Sequence, residues 1–181
     1  MSRIPVVTQP NAEQQALLDA AQAQLGMLPN FLKVFAHSPV VLKAFLGLFG
    51  IATATAGALD PQTRERIALA LAQQNACEYC LSAHTALGQQ AGLGAEEMAA
   101  NRAGASQDAK AAAAVRFARA LVEHLGEVTT AELQDVRAAG YGEAEIVEII
   151  THVGMNLLTN ILGKASRLEI DFPRIVLQPA A

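Results

Sequence analysis

Apolar and polar residues recur along most of this chain with the period of a helix, and the breaks between periodic runs carry helix punctuation. Asn11 is placed to cap a run reaching Leu25, with Gly26 as its stop. Pro29-Asn30 opens a short apolar segment, Phe31 to Ala36, and Ser38-Pro39 sets a cap and a first-turn proline before the next run. Asp60-Pro61 repeats that device ahead of Gln62 to about Gln74. Asn75 breaks the pattern before a segment that holds both cysteines, runs to about Ala91 and stops at Gly92. A short helix near Ala95 to Ala103 follows, then a loop from Gly104, then an alanine-rich helix from about Asp108 to His124. Thr129 and Glu132 have the spacing of a capping box for Ala131 to Ala139. Gly140 and Gly142 precede Glu143 to about Leu162, where Ile146, Ile149, Ile150 and Val153 recur at helical spacing. The tail from Glu169, with Pro173 and Pro179, reads as irregular. No convincing strand alternation appears before the tail. The pattern predicts an all-α multi-helix bundle of about eight helices, with residues 1–181 forming one helical domain and no linker long enough to divide it.

Composition sharpens the expectation. Of 181 residues, 52% are hydrophobic and 17% charged, which is more apolar than an ordinary domain and predicts apolar surface shared between subunits of a homo-oligomer. The apolar run from Val40 to Leu59 approaches membrane-spanning length. Lys43 near its start, its Gly, Ala and Thr content and Asp60-Pro61 at its end make it read as a core or interface helix instead. A net charge of −4 gives no electrostatic case for nucleic acid or an anionic membrane. The first ten residues hold only a short apolar stretch broken by proline, so no signal peptide is expected. Two closely spaced cysteines without a secretory signal point to a reducing, cytoplasmic setting, and to catalysis or metal binding rather than a structural staple.

The chemistry concentrates in Glu65, Cys77, Cys80 and His84. On one helix, at about 100° per residue, Cys77, Cys80 and His84 share a narrow face, and His84 lies one turn beyond Cys80. With Asn75 as the cap, Cys77 falls in the first turn, where unpaired N–H groups and the helix dipole favour a thiolate. Glu65 in the same straight helix would lie about 18 Å from Cys77 along the axis and take no part. If the chain reverses near Asn75, however, Glu65 and His84 become level across a helical hairpin spanning roughly 60–92. Glu65 then orients His84, and His84 takes the proton of Cys80. Zinc is the competing reading of the same four side chains, but three ligands from one helix crowd one side of the ion, and no metal is expected. His152, Asn156 and Asn160 recur every four residues on another helix, with Thr159 beside them. They line the cavity near the thiols or hydrogen-bond between packed helices. Tyr79 either donates a hydrogen bond to substrate or simply packs.

The order Glu65-x11-Cys77-x2-Cys80-x3-His84 resembles the signature of alkylhydroperoxidase D-like proteins in the carboxymuconolactone decarboxylase superfamily. Leu28-Pro29-Asn30-Phe31, the run from Arg137 to Tyr141, and Glu169-Ile-Asp-Phe-Pro173 resemble its peroxidase-related branch, so the likeness spans about residues 25 to 173. It implies an all-helical fold, assembly into trimers or hexamers, and peroxide reduction by the cysteine pair. No prosthetic group is implied, but an external thiol, dithiol or redox partner protein is needed as reductant. The resemblance makes Cys80 the attacking sulfur and Cys77 the resolving one, whereas helix position alone favours Cys77. Tyr79 stands where the better-studied branch carries a second histidine. Members without the cysteine pair are decarboxylases. The expected activity is therefore a thiol-dependent alkyl hydroperoxidase or disulfide reductase acting on a small peroxide. The alternatives are a non-enzymatic thiol redox sensor or adaptor, and a cofactorless decarboxylase-like lyase.

Overall fold

The computed structural model describes residues 2–53 and 57–178. Among these residues there are nine helices and no strand, one helix more than the pattern of about eight. They are α1 (Ala12–Leu25), α2 (Asn30–Phe35), α3 (Pro39–Thr53), α4 (Pro61–Gln74), α5 (Glu78–Gln90), α6 (Ala95–Arg102), α7 (Ala109–Glu123), α8 (Thr130–Ala138) and α9 (Glu143–Ser166). The punctuation acts as its chemistry requires. Asn11 Oδ1 accepts the Gln14 N–H at 2.9 Å, Asp60 accepts that of Thr63 at 2.9 Å, and Thr129 and Glu132 close a reciprocal capping box. Gly26, at φ 73°, ends α1 in the left-handed region.

Helix α4 is the central element and packs against α5, α6, α7 and α9. Ile67 and Leu71 face Phe117, Ile146 and Ile149, while Leu69 and Ala72 on its other side face the cysteines and Leu81. A third cluster joins α1, α2 and α3 through Leu18, Leu32, Phe35, Leu42 and Phe45, with Met155 of α9 at its edge. Phe35 and Phe45 stack at 4.7 Å, and Phe45 and Phe49 at 5.5 Å. Because these clusters meet along α4 and α9, side chains on the two helices are fixed by packing on several sides.

Helix α3 buries Leu42 and Phe45 but leaves Val40 and Val41 exposed, so the apolar run lies half in the core; its residues 54–56 lie outside the described residues. Among the described helices, only α9 is long and apolar enough, by length and composition, to cross a bilayer. It is also a core helix here, with Ile146, Ile149 and Val153 buried against α4 and α7. The structure carries α9 four residues beyond Leu162, through Gly163 to Ser166. Glycine ends helices when its backbone turns left-handed, but Gly163 stays helical because a neighbour needs the space its missing side chain leaves. The tail is irregular from Glu169 to residue 178; Pro179 lies outside the described residues. It nonetheless packs, with Ile170, Phe172, Ile175 and Leu177 against the cluster that holds the cysteines.

Candidate functional site

The chain reverses between α4 and α5 in three residues. Asn75 ends α4, Ala76 takes a left-handed backbone at φ 52°, and Cys77 is the extended N-cap of α5. Two contacts with α9 hold this bend. Asn75 Nδ2 donates to Asn160 Oδ1 at 2.8 Å, and Lys164 Nζ donates to the Asn75 carbonyl at 2.8 Å. The cap is therefore Cys77 and not Asn75, which corrects the first-turn placement of that cysteine. Asn75 is occupied as the end of α4, and its side chain points to the other helix. The Cys77 sulfur accepts the Cys80 N–H at 3.3 Å, so a hydrogen bond replaces the dipole alone as its link to the helix terminus.

The reversal makes α4 and α5 antiparallel. Gln62 Nε2 donates to the Ala91 carbonyl at 3.1 Å at the open end, and Glu65 Oε2 lies 2.8 Å from His84 Nδ1 further in. An Nδ1–H donated to this carboxylate leaves Nε2 as the acceptor nitrogen, the form a proton-taking imidazole needs. His84 stands one turn after Cys80 on α5. Cys77 and Cys80 are joined as a disulfide, and both are buried. Gly163 explains how α9 passes so close. A Cβ there would stand 3.1 Å from the Cys77 sulfur and 3.7 Å from that of Cys80.

A cavity of about 200 Å³ opens onto this cluster. Cys80, His84 and Glu65 border it and Cys77 does not, so the two sulfurs differ in access. Its remaining wall is mostly apolar, including Phe31, Phe49, Leu87 and Met155. Tyr79 also lines it, but its ring packs edge-on against Phe31 and Phe172 and its hydroxyl accepts the Phe31 N–H at 3.4 Å. Burial, with the Asp171 carboxylate beside the hydroxyl, pushes the phenol well above its usual range, so Tyr79 stays neutral. Two of the motifs noted in the sequence meet here. Asp171 accepts the Asn30 N–H at 2.7 Å, Asn30 Nδ2 donates to the Glu169 carbonyl at 3.2 Å, and Phe172 completes the wall. The tail is then tied across α5. Arg174 pairs with Glu78 at 2.7 Å, and Ser82 Oγ accepts the Ile175 N–H at 3.0 Å.

The polar stripe of α9 faces inward. His152, Asn156 and Asn160 are all nearly fully buried, and Asn156 borders the cavity. His152 Nε2, Asn156 Oδ1 and Asn160 Nδ2 have no hydrogen-bond partner among the described residues. Burial, and secondarily the Arg64 guanidinium, pushes the His152 imidazole down to about 4, against the opposing pull of Glu148 and Glu65. Among the described residues no three His, Cys, Asp or Glu side chains converge as metal ligands. Glu97, away from the cavity, is a structural hub. Burial alone would raise its carboxyl, but hydrogen bonds from Ser106, Asn101, the Gln107 N–H and Arg66 outweigh that and hold it down at about 2. The apolar wall residues carried no separate signal in the sequence, because Phe31, Phe49 and Met155 sit at ordinary core positions of their helices. Gly163, directly after the last residue of the helical pattern, carried only the signal of a helix end.

The structure thus joins a buried Cys77–Cys80 disulfide at the tip of a helical hairpin with a carboxylate-held imidazole one turn beyond Cys80, in an all-α fold. Residues 39–123 match the carboxymuconolactone decarboxylase family. Three solved structures share the whole fold. An uncharacterized peroxidase-related protein from Silicibacter sp. TM1040 is 26% identical with a TM-score of 0.80, covering 92% of this chain and 88% of that one. The alkylhydroperoxidase AhpD core of an uncharacterized peroxidase-related protein from Ralstonia eutropha JMP134 is 24% identical with a TM-score of 0.81, covering 94% and 92%. The debrominase Bmp8, solved in complex with 2,3,4-tribromopyrrole, is 18% identical with a TM-score of 0.76, covering 93% and 91%. No curated protein matches the chain. The chain has the AhpD-like fold of these structures, and the family match falls on its residues 39–123. The matched family is named for a decarboxylase, and the structures that share this fold include peroxidase-related proteins and a debrominase.

Proposed function

We propose that the protein is a thiol-dependent peroxidase that reduces small organic hydroperoxides through its cysteine pair. One observation carries the reading: Cys80 borders the cavity together with His84, whose Nδ1 is held by Glu65, while Cys77 is shut off from it. In the reduced protein His84 Nε2 takes the proton of Cys80. The thiolate attacks the terminal peroxide oxygen, the O–O bond breaks, and Cys80 becomes a sulfenic acid. The departing alkoxide takes the proton from the imidazolium. The Cys77 thiol then attacks the Cys80 sulfur, forming the disulfide and releasing water. An external thiol, dithiol or redox partner protein attacks Cys80 through the same cavity to give a mixed disulfide, and a second external thiol attacks the outer sulfur of that bond and releases Cys80. Cys77 leaves as a thiolate stabilised by the Cys80 N–H at the helix terminus. No step needs a prosthetic group. Exposed apolar residues on α9, Val147 and Ile161 among them, fit burial between copies in a homo-oligomer, and the reductive half-cycle fits a cytoplasmic setting.

The test is peroxide consumption by wild type, Cys77→Ser and Cys80→Ser with a dithiol present. Repeated turnover by wild type and none by either variant is expected. Oxidation only once per thiol pair would favour a redox sensor, and undiminished activity on a small organic acid after both substitutions would favour a lyase.

A further inference from the structure

Among the groups at the cavity that the mechanism above leaves unused is the amide of Asn156. Its orientation is fixed by a neighbour. Nδ2 donates to the His152 carbonyl at 2.8 Å, and the reversed amide would set oxygen against oxygen. Oδ1 is therefore committed to facing the other way, and it has no donor among the described residues although Asn156 is only 3% exposed. A buried acceptor left empty is costly, whereas an apolar side chain of the same shape there costs nothing. The residue borders the same cavity as Cys80 and His84. A ligand reaching Cys80 and carrying a hydroxyl donor would meet that acceptor.

We propose that Asn156 Oδ1 is the acceptor for the O–H of the hydroperoxide, a positioning residue that selects peroxides over oxidants with no such donor. This rests on the peroxidase reading. In ROO–H the proton sits on the terminal oxygen, the atom the Cys80 thiolate attacks. As the S–O bond forms and the O–O bond breaks, that oxygen stays bonded to its proton and becomes the sulfenic acid O–H. The electron pair of the O–O bond leaves with the alkoxide, which His84 protonates. Asn156 thus keeps one hydrogen bond from encounter to product while the oxygen moves from peroxide to sulfur. A disulfide oxidant attacked at the same sulfur has no proton to offer, and gains nothing from the amide.

The experiment compares wild type with Asn156→Leu, of nearly the same volume and without the acceptor. Both are fully reduced, then mixed in single-turnover mode with cumene hydroperoxide or with 2-hydroxyethyl disulfide, and loss of thiols is followed with time. Thermal melts of the two reduced proteins are run alongside. The expected result is a drop of about tenfold or more in the peroxide rate constant, the size of one buried hydrogen bond. The disulfide rate should stay within about twofold, and the melting temperature should be unchanged or higher, since an empty buried acceptor has gone. Equal losses on both oxidants, or no loss on either, would overturn the assignment, as would a variant that melts markedly lower or fails to fold. Those outcomes leave the peroxidase reading standing. A wild-type protein whose thiols resist cumene hydroperoxide while reacting with the disulfide would remove the peroxidase reading itself, and the assignment with it.

Discussion

Lowering the pH from 7 to 5 should destabilise the protein through His152, and replacing that residue by glutamine should remove the effect. Burial pushes the folded-state imidazole down to about 4 from an unfolded value of 6.5. Between those values the unfolded chain binds a proton that the folded chain refuses. Acid therefore favours unfolding, and the stability is fully present only above about pH 6.5 and falls as the pH drops toward 4. At pH 5 the unfolded imidazole is almost fully protonated and the folded one about a tenth. The linkage relation then gives a loss of about 2 kcal/mol relative to pH 7. Urea unfolding of the oxidised protein at pH 5, 6 and 7 measures it, with His152→Gln as the control that keeps a polar side chain but cannot titrate. His37, His84 and His124 are present in both proteins and cancel in the difference. The wild-type curve should steepen by about 2 kcal/mol between pH 7 and 5 relative to the variant. Parallel pH profiles, or a wild type that gains stability on acidification, would refute the reasoning that this imidazole is buried neutral.

Other substitutions probe the remaining structure. His84→Gln should lower the single-turnover peroxide rate by about 10² to 10⁴, the range for loss of a general base, and Glu65→Gln should lower it by a smaller factor while leaving the melting temperature near wild type. Rates unchanged in His84→Gln would take the imidazole out of the chemistry. Glu97→Gln removes the charge that four donors converge on, so it should cost about 2 kcal/mol in urea unfolding with peroxide turnover per folded molecule unchanged. Gly163→Ala places a methyl group 3.1 Å from the Cys77 sulfur. In thermal melts it should lower the oxidised form relative to the reduced form, whose separate thiols have room to shift, by about 1 kcal/mol or more.

The local part of the fold was legible because it is written in local chemistry. Asn11, Asp60 and Thr129 cap the helices their positions indicate, and Gly26 and Gly92 follow the ends of α1 and α5. The hairpin was legible for a further reason: Glu65 and His84 flank the midpoint 74.5 equally, so a reversal near Asn75 brings them level. What spacing does not carry is the exact residue that turns. Asn75 was the better cap by propensity, yet the tertiary bond to Asn160 and the left-handed Ala76 pass the cap to Cys77. Helix α9 runs past Leu162 for the same kind of reason, since Gly163 answers to two sulfur atoms more than eighty residues away in sequence. The stripe His152, Asn156 and Asn160 was visible as a period of four. Which of its atoms lack partners depends on side-chain orientation, which a sequence pattern does not encode. The cavity wall is assembled from α1 to α5, α9 and the tail, and only packing brings those together.

Most directly at stake is the unequal access of the two sulfurs. Cys77→Ser and Cys80→Ser, each reduced, are treated with one equivalent of cumene hydroperoxide in the presence of dimedone, and the labelled residue is located by peptide mass analysis. The account predicts a dimedone adduct on Cys80 in the first variant and none on Cys77 in the second. An adduct that forms on Cys77 as readily as on Cys80, or on Cys77 alone, would contradict it.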